Sequence, residues 1–205
     1  MDLKGLPTAL LVIDMQNAFC HPNGSLARLG HDIAMCQEAI EGCGHLVTAA
    51  RKAAIPAIFT RYAYRDDYRD GGILVEELNP ALKKTGALVH GSWDAEIVDQ
   101  LPVQDRDFVV TKNRYSAFYG TNLETILTSL GIRNLVICGV TTNMCVETTA
   151  RDGMQRDYRV FVVSDATGEL DRERHVMALR TLNFGFAWVV TINDVIQAIV
   201  RGSGA

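Results

Sequence analysis

Hydrophobic residues along this chain fall in short unbroken runs, separated by longer amphipathic stretches. The runs are Ala9-Leu-Leu-Val-Ile13, Pro56-Ala-Ile-Phe-Thr60, Phe108-Val-Val-Thr111, Leu135 to Val140, Tyr158-Arg-Val-Phe-Val-Val163 and Ala187-Trp-Val-Val190. A run with little polar alternation predicts a strand covered on both faces, as in a parallel sheet. The stretches between them have helical spacing. Asp32 to about Ala54 places Ile33, Ile40, Leu46, Val47 and Ala50 on one side, with Gly42 and Gly44 weakening its middle. Thr121 to about Leu130 predicts a helix closed by Gly131. Thr141 to Asp152, Asp171 to about Phe184 and Ile192 to Val200 predict three more. Helix and strand alternate, so the expected class is α/β: a three-layer α/β/α sandwich around a parallel sheet, in one domain over residues 1–205.

The stretch from Arg61 to about Asp107 is the least regular. Short helical pieces are expected at Ile73 to Leu78 and at Ala95 to Leu101. Its charge run, Arg65-Asp-Asp-Tyr-Arg-Asp70, reads as solvated surface. A long connection after a strand is usually a rim, lid or contact segment. The tail, Arg201-Gly-Ser-Gly-Ala205, reads as a frayed end.

Three polar residues stand out because each follows a buried run at its carboxyl end, where open α/β sheets place their sites. Asp14 ends the first run and Lys112 the third. Cys145 lies in the first turn predicted after the Leu135 to Val140 run. Free cysteine is most often a small buried hydrophobe, and Cys20, Cys36, Cys43 and Cys138 are read that way. Cys145 differs by its position. Thr141, Thr142 and Asn143 are good N-cap types, and a helix start favours a thiolate. Unpaired N–H groups there also suit a developing oxyanion.

Composition narrows the partners. Hydrophobic residues make up 48% and charged residues 21%, as in an ordinary soluble globule. A net charge of −4 without a basic patch gives no reason to expect nucleic acid. No apolar run approaches transmembrane length, so no membrane partner is expected. Five cysteines, an odd count without paired spacing, argue for a reducing, cytoplasmic setting. The start, Met1-Asp-Leu-Lys-Gly-Leu-Pro7, lacks the pattern of a signal peptide. The histidines (His21, His31, His45, His90, His175) have no ligand spacing, so neither a metal nor another cofactor is expected.

Asp14 in Val-Ile-Asp-Met-Gln-Asn, Lys112 in Thr-Lys-Asn-Arg-Tyr-Ser-Ala-Phe and Cys145 in Cys-Gly-Val-Thr-Thr-Asn-Met-Cys-Val-Glu resemble the motifs of the isochorismatase-like cysteine hydrolases. The resemblance runs from about residue 7 to 200. It implies a six-stranded parallel sheet of order 3-2-1-4-5-6, with Asp14 and Cys145 at the switch point. It implies a triad: Cys145 the nucleophile, Asp14 the base, and Lys112 the charge that holds the carboxylate and lowers the thiol pKa. It implies a cis peptide at Val140–Thr141 and an oxyanion hole from the N–H groups of Thr141 and Cys145. Phe19, Tyr62 and Phe118 are the candidates for contact with a small-molecule substrate. Arg65, Asp66, Tyr68 and the Tyr115 to Phe118 loop also suit a small polar substrate.

Subfamily differences sharpen the expected reaction. The isochorismatases that cleave a vinyl ether lack this cysteine. The nicotinamidases carry a histidine-bearing metal motif where this chain has Thr60-Arg-Tyr-Ala-Tyr-Arg-Asp-Asp-Tyr68. The remaining pattern resembles amidases of ureido compounds: biuret, ureidoacrylate and N-carbamoyl amino acids, cleaved through a thioester with release of ammonia. Vinyl-ether hydrolysis and a non-catalytic interaction module on the same fold stay open as alternatives. The resemblance also implies a homo-oligomer, a tetramer or dimer, with residues 61–107 as a contact.

Overall fold

The structure, a computed structural model, describes residues 2–202. The apolar runs form six strands: β1 (Thr8–Ile13), β2 (Ala57–Tyr62), β3 (Phe108–Lys112), β4 (Asn134–Val140), β5 (Arg159–Gly168) and β6 (Trp188–Val190). They pair in parallel in the order β3-β2-β1-β4-β5-β6. The sheet is therefore the expected one, with its order reversing at β1 and β4. Every residue of those two strands is buried. That is why they carry no polar alternation.

Eight α-helices complete the layers: α1 (Asn17–Cys20), α2 (Ser25–Arg28), α3 (Ala34–Lys52), α4 (Ala81–Thr85), α5 (Leu123–Ser129), α6 (Glu147–Met154), α7 (Arg172–Gly185) and α8 (Ile192–Gly202). The apolar stripe of α3, including Ala39, Cys43, Leu46 and Ala50, packs on β5, β4 and β1, with α8 beside it. The middle of α3 tolerates Gly42 because the sheet comes so close. A Cβ there would lie 2.9 Å from the Asp165 carbonyl oxygen. Asp171 accepts the Arg174 N–H at 2.9 Å and caps α7, as its sequence position predicts. Helix α8 takes in Arg201 and Gly202 of the tail read as frayed, and residues 203–205 lie outside the described residues.

Three elements differ from expectation. Strand β5 runs on through Ser164-Asp-Ala-Thr167, beyond the run that the apolar pattern ends at Val163. Those side chains find partners: Ser164 Oγ donates to the Val190 carbonyl, and Asp165 Oδ1 accepts the Ile192 N–H. Ala95 to Leu101 is not helical. A 3₁₀ turn covers Trp93–Ala95, and Ile97 then forms an antiparallel bridge to Gln16. The short helices α1, α2 and α4 have no counterpart in the sequence pattern, because helices of four or five residues show no periodicity.

The long connection 63–107 is pinned at several points. Asp94 is buried and accepts the N–H groups of Ser25 and Leu88. The Tyr68 hydroxyl donates to the Ala87 carbonyl at 2.6 Å. Its charge run is at the surface, where Arg65 pairs with Asp67.

Gly139, near the end of β4, has φ +108°, and a Cβ there would lie 2.1 Å from the Ile13 carbonyl oxygen. Neither the backbone nor the space admits a side chain. Gly139→Ala should destabilise the protein by about 3 kcal/mol or more, read as a lowered midpoint in urea. A midpoint within error of the parent would show that β1 and β4 can separate at this level.

Candidate active site

The β1–β4 register sets Ile13 opposite Gly139, so the residues just past both strand ends come together. Asp14 leaves β1 with φ +47°, a left-handed conformation that Asp adopts more readily than most residues. Its N–H donates to Thr60 Oγ1 at 2.9 Å, and that hydroxyl donates back to Asp14 Oδ1 at 2.6 Å. The last residue of the apolar run in β2 thereby fixes one carboxylate oxygen. The other, Oδ2, accepts from Lys112 Nζ at 2.6 Å, with both side chains fully buried.

Lys112 reaches this point because β2 and β3 pair Tyr62 with Lys112. Its ammonium also donates to the Arg114 carbonyl at 3.2 Å and lies 3.4 Å from Cys145 Sγ. All three ammonium protons are accounted for, and the Tyr62 ring lies 4.2 Å from Nζ. The ammonium thus joins the carboxylate to the thiol, and all three residues are buried. A buried charge pair of this kind costs more in desolvation than a surface one, and persists where its partners are fully hydrogen-bonded.

Cys145 lies in a π-helical turn, Thr142–Val146, that leads into α6. The peptide Val140–Thr141 before it is cis. The electrostatics differ from the expectation for a helix start. Burial holds the Cys145 thiol well above its ordinary range; Lys112 opposes this, and Asp14 adds to it. Burial thus favours the neutral form of the thiol that lies beside the Lys112–Asp14 pair.

The other sequence candidates divide. Tyr62 is buried with its ring on Lys112, and its hydroxyl accepts from Tyr64 and donates to the Asn113 carbonyl. Phe19 is buried on α1. Phe118 stacks on Tyr158 at 6.0 Å, under the Arg156 guanidinium. Thr141 is buried at the end of β4. Among the described residues no group of three or more His, Cys, Asp or Glu is placed to hold a metal ion.

Sequence reasoning missed four supporting residues. Thr60 orients Asp14, as above. Gln16 Oε1 accepts the Tyr62 N–H at 2.8 Å, while Nε2 donates to the carbonyls of Tyr62 and Ala95. Glu169 and His175 hold the cysteine turn from beyond β5. Thr60 and Gln16 had a usable signal, a polar residue at the end of a buried run and one inside a quoted motif. Glu169 and His175 had none.

The fold, with its switch point between β1 and β4, is one shared by hydrolases. Comparison with known proteins gives the family. Residues 8–194 match the isochorismatase domain model. The ureidoacrylate amidohydrolase RutB of Azorhizobium caulinodans is 36% identical, over 95% of this chain and 91% of its own. A cysteine hydrolase from Pseudomonas syringae pv. phaseolicola superposes with a TM-score of 0.90 at 31% identity, covering 98% of this chain and 96% of that one. N-carbamoylsarcosine amidase from Thermoplasma acidophilum superposes with a TM-score of 0.74 at 26% identity, over 92% and 98%. This chain belongs to the isochorismatase family. No helix among the described residues is long and apolar enough to cross a membrane.

Proposed function

We propose that this protein is a cysteine-dependent amidohydrolase that cleaves a C–N bond of a small ureido acid, with ureidoacrylate the first candidate. The observation that carries the reading is the contact of one buried ammonium with both the Asp14 carboxylate and the Cys145 sulfur. Names of relatives support the bond type, since two of them act on ureido or carbamoyl groups.

Asp14 takes the thiol proton as sulfur adds to the ureido carbonyl carbon, and Lys112 stays charged throughout. A neutral resting thiol fits a proton that leaves only as the C–S bond forms. The carbonyl oxygen becomes an oxyanion, received by the N–H groups of Thr141 and Cys145. Collapse breaks the C–N bond. The leaving amine takes its proton from Asp14, and a carbamoyl thioester remains on Cys145. Water then adds to that carbonyl, giving its proton to Asp14, and the thiol is regenerated. The carbamic acid released breaks down to carbon dioxide and ammonia.

The test is an ammonia-release screen over ureidoacrylate, biuret, N-carbamoyl amino acids and nicotinamide, with and without prolonged chelation. Ureidoacrylate should give the highest kcat/KM, and chelation should change nothing. Preference for nicotinamide, or loss on chelation with rescue by zinc, manganese or iron, would overturn the reading.

A further inference from the structure

The turn that carries Cys145 is not capped by its own residues. Thr141 caps nothing with its side chain. The cap comes from across the sheet. Glu169, the first residue past β5, is 1% exposed, and its Oε2 accepts the Asn143 N–H at 3.0 Å. Its Oε1 accepts the Leu170 N–H at 2.9 Å, and Arg174 Nη2 lies 3.7 Å from the same oxygen. Only a carboxylate offers acceptors at both ends; a carboxamide would turn an N–H against one of the two N–H groups.

A second tie lies one residue earlier. Thr142 Oγ1 donates to the Gly168 carbonyl at 2.9 Å and lies 2.9 Å from His175 Nδ1. The hydroxyl has one proton, which Gly168 receives, so Nδ1 carries a proton and donates to Thr142. Burial, then Arg172, lowers the His175 pKa, so this ring is neutral at pH 7. Gly168 itself is fixed, since a Cβ there would lie 2.4 Å from the Met35 carbonyl oxygen.

We propose that Glu169 is a positioning residue for the reaction: its buried carboxylate, with the His175–Thr142–Gly168 chain, sets the turn that presents Cys145 and the N–H groups proposed for the oxyanion. The proposal rests on the reading of Cys145 as nucleophile. A buried negative charge at the amino end of the turn offsets the dipole that would favour a thiolate. The charged and titratable groups around Glu169 are Arg174 and Cys36. Those facing Cys145 are Lys112, Asp14, Tyr62, Tyr64 and Tyr115.

The experiment compares Glu169→Ala and Glu169→Gln with wild type and Cys145→Ser, all checked for fold by circular dichroism. Glu169→Ala should lower kcat about tenfold or more with KM within about threefold, because a buried N–H of the turn loses its partner. Glu169→Gln should fall between, keeping one acceptor of two. Alkylation of Cys145, followed by mass spectrometry, needs no substrate; in Glu169→Gln its pH profile should move to lower pH, since a negative charge is gone and Arg174 remains. If Glu169→Ala does not fold, Glu169→Gln decides. An alkylation profile superimposable on wild type, with kcat within twofold, would overturn the proposal. Turnover retained in Cys145→Ser would overturn the nucleophile reading instead.

Discussion

Replacing Cys145 by serine should leave the fold intact and remove nearly all turnover. The change is nearly isosteric at a site that is 3% exposed, so packing against Val146 and the strand ends survives. The chemistry does not survive. Asp14 is a weak base, adequate for a thiol whose sulfur is polarised 3.4 Å from an ammonium, and far short of what an alcohol needs. Loss of a nucleophile from a working triad typically costs about three orders of magnitude or more in kcat. The resting thiol gives a second readout. Burial raises its pKa, so alkylation of the wild-type enzyme should climb through pH 9 without levelling near neutrality. A plateau near pH 7, or a serine variant with more than about a tenth of wild-type turnover, would contradict the mechanism.

Lys112→Ala should be nearly as damaging, for a different reason. It leaves the buried Asp14 carboxylate with only neutral partners, the Thr60 hydroxyl and the Cys145 thiol. A buried carboxylate without a counterion takes up a proton, and a protonated Asp14 cannot accept one from sulfur. Turnover should fall about a hundredfold or more, the usual worth of a placed base. Lys112 is also the main influence that lowers the Cys145 pKa, so its removal should push alkylation to still higher pH. Lys112→Arg should rescue poorly, because a planar guanidinium cannot place three protons on a carboxylate, a carbonyl and a sulfur at once. An unchanged alkylation profile with turnover retained would reduce Lys112 to packing.

Much of the fold is legible in the chain because parallel strands are buried on both faces. Thr8–Ile13 and Asn134–Val140 leave no room for polar alternation, and their ends mark the switch point. Asp14 and Cys145 are legible for the same reason, each lying just past such a run; Lys112 ends an apolar run too, but β3 is an edge strand with Val109 and Thr111 exposed. The rest depends on contacts between distant parts of the chain. Ser164 to Thr167 lies past the apolar run, and its place in β5 depends on partners at Val190 and Ile192. The thiol reads as a thiolate until burial is known, since sequence shows a helix start but not how much water reaches it. Glu169 is invisible because the N–H it caps is 26 residues earlier.

Gln16 ties the end of β2 to the long connection that follows it. Its amide spans the end of β2, at Tyr62, and the far end of the long connection, at Ala95. The two ends of that connection are thereby fixed to each other as well as to the sheet. Residues 65–86 between them form an excursion with inner ties of its own, Tyr68 to Ala87 and Asp70 to Asn113. Asp70 within it accepts from Asn113 and Arg114, and the Arg114 carbonyl accepts from Lys112, so a change of length or charge there reaches the ammonium through that loop. Gln16 is one residue where a single substitution disturbs both the rim and the ammonium's platform, so adaptive change should route around it.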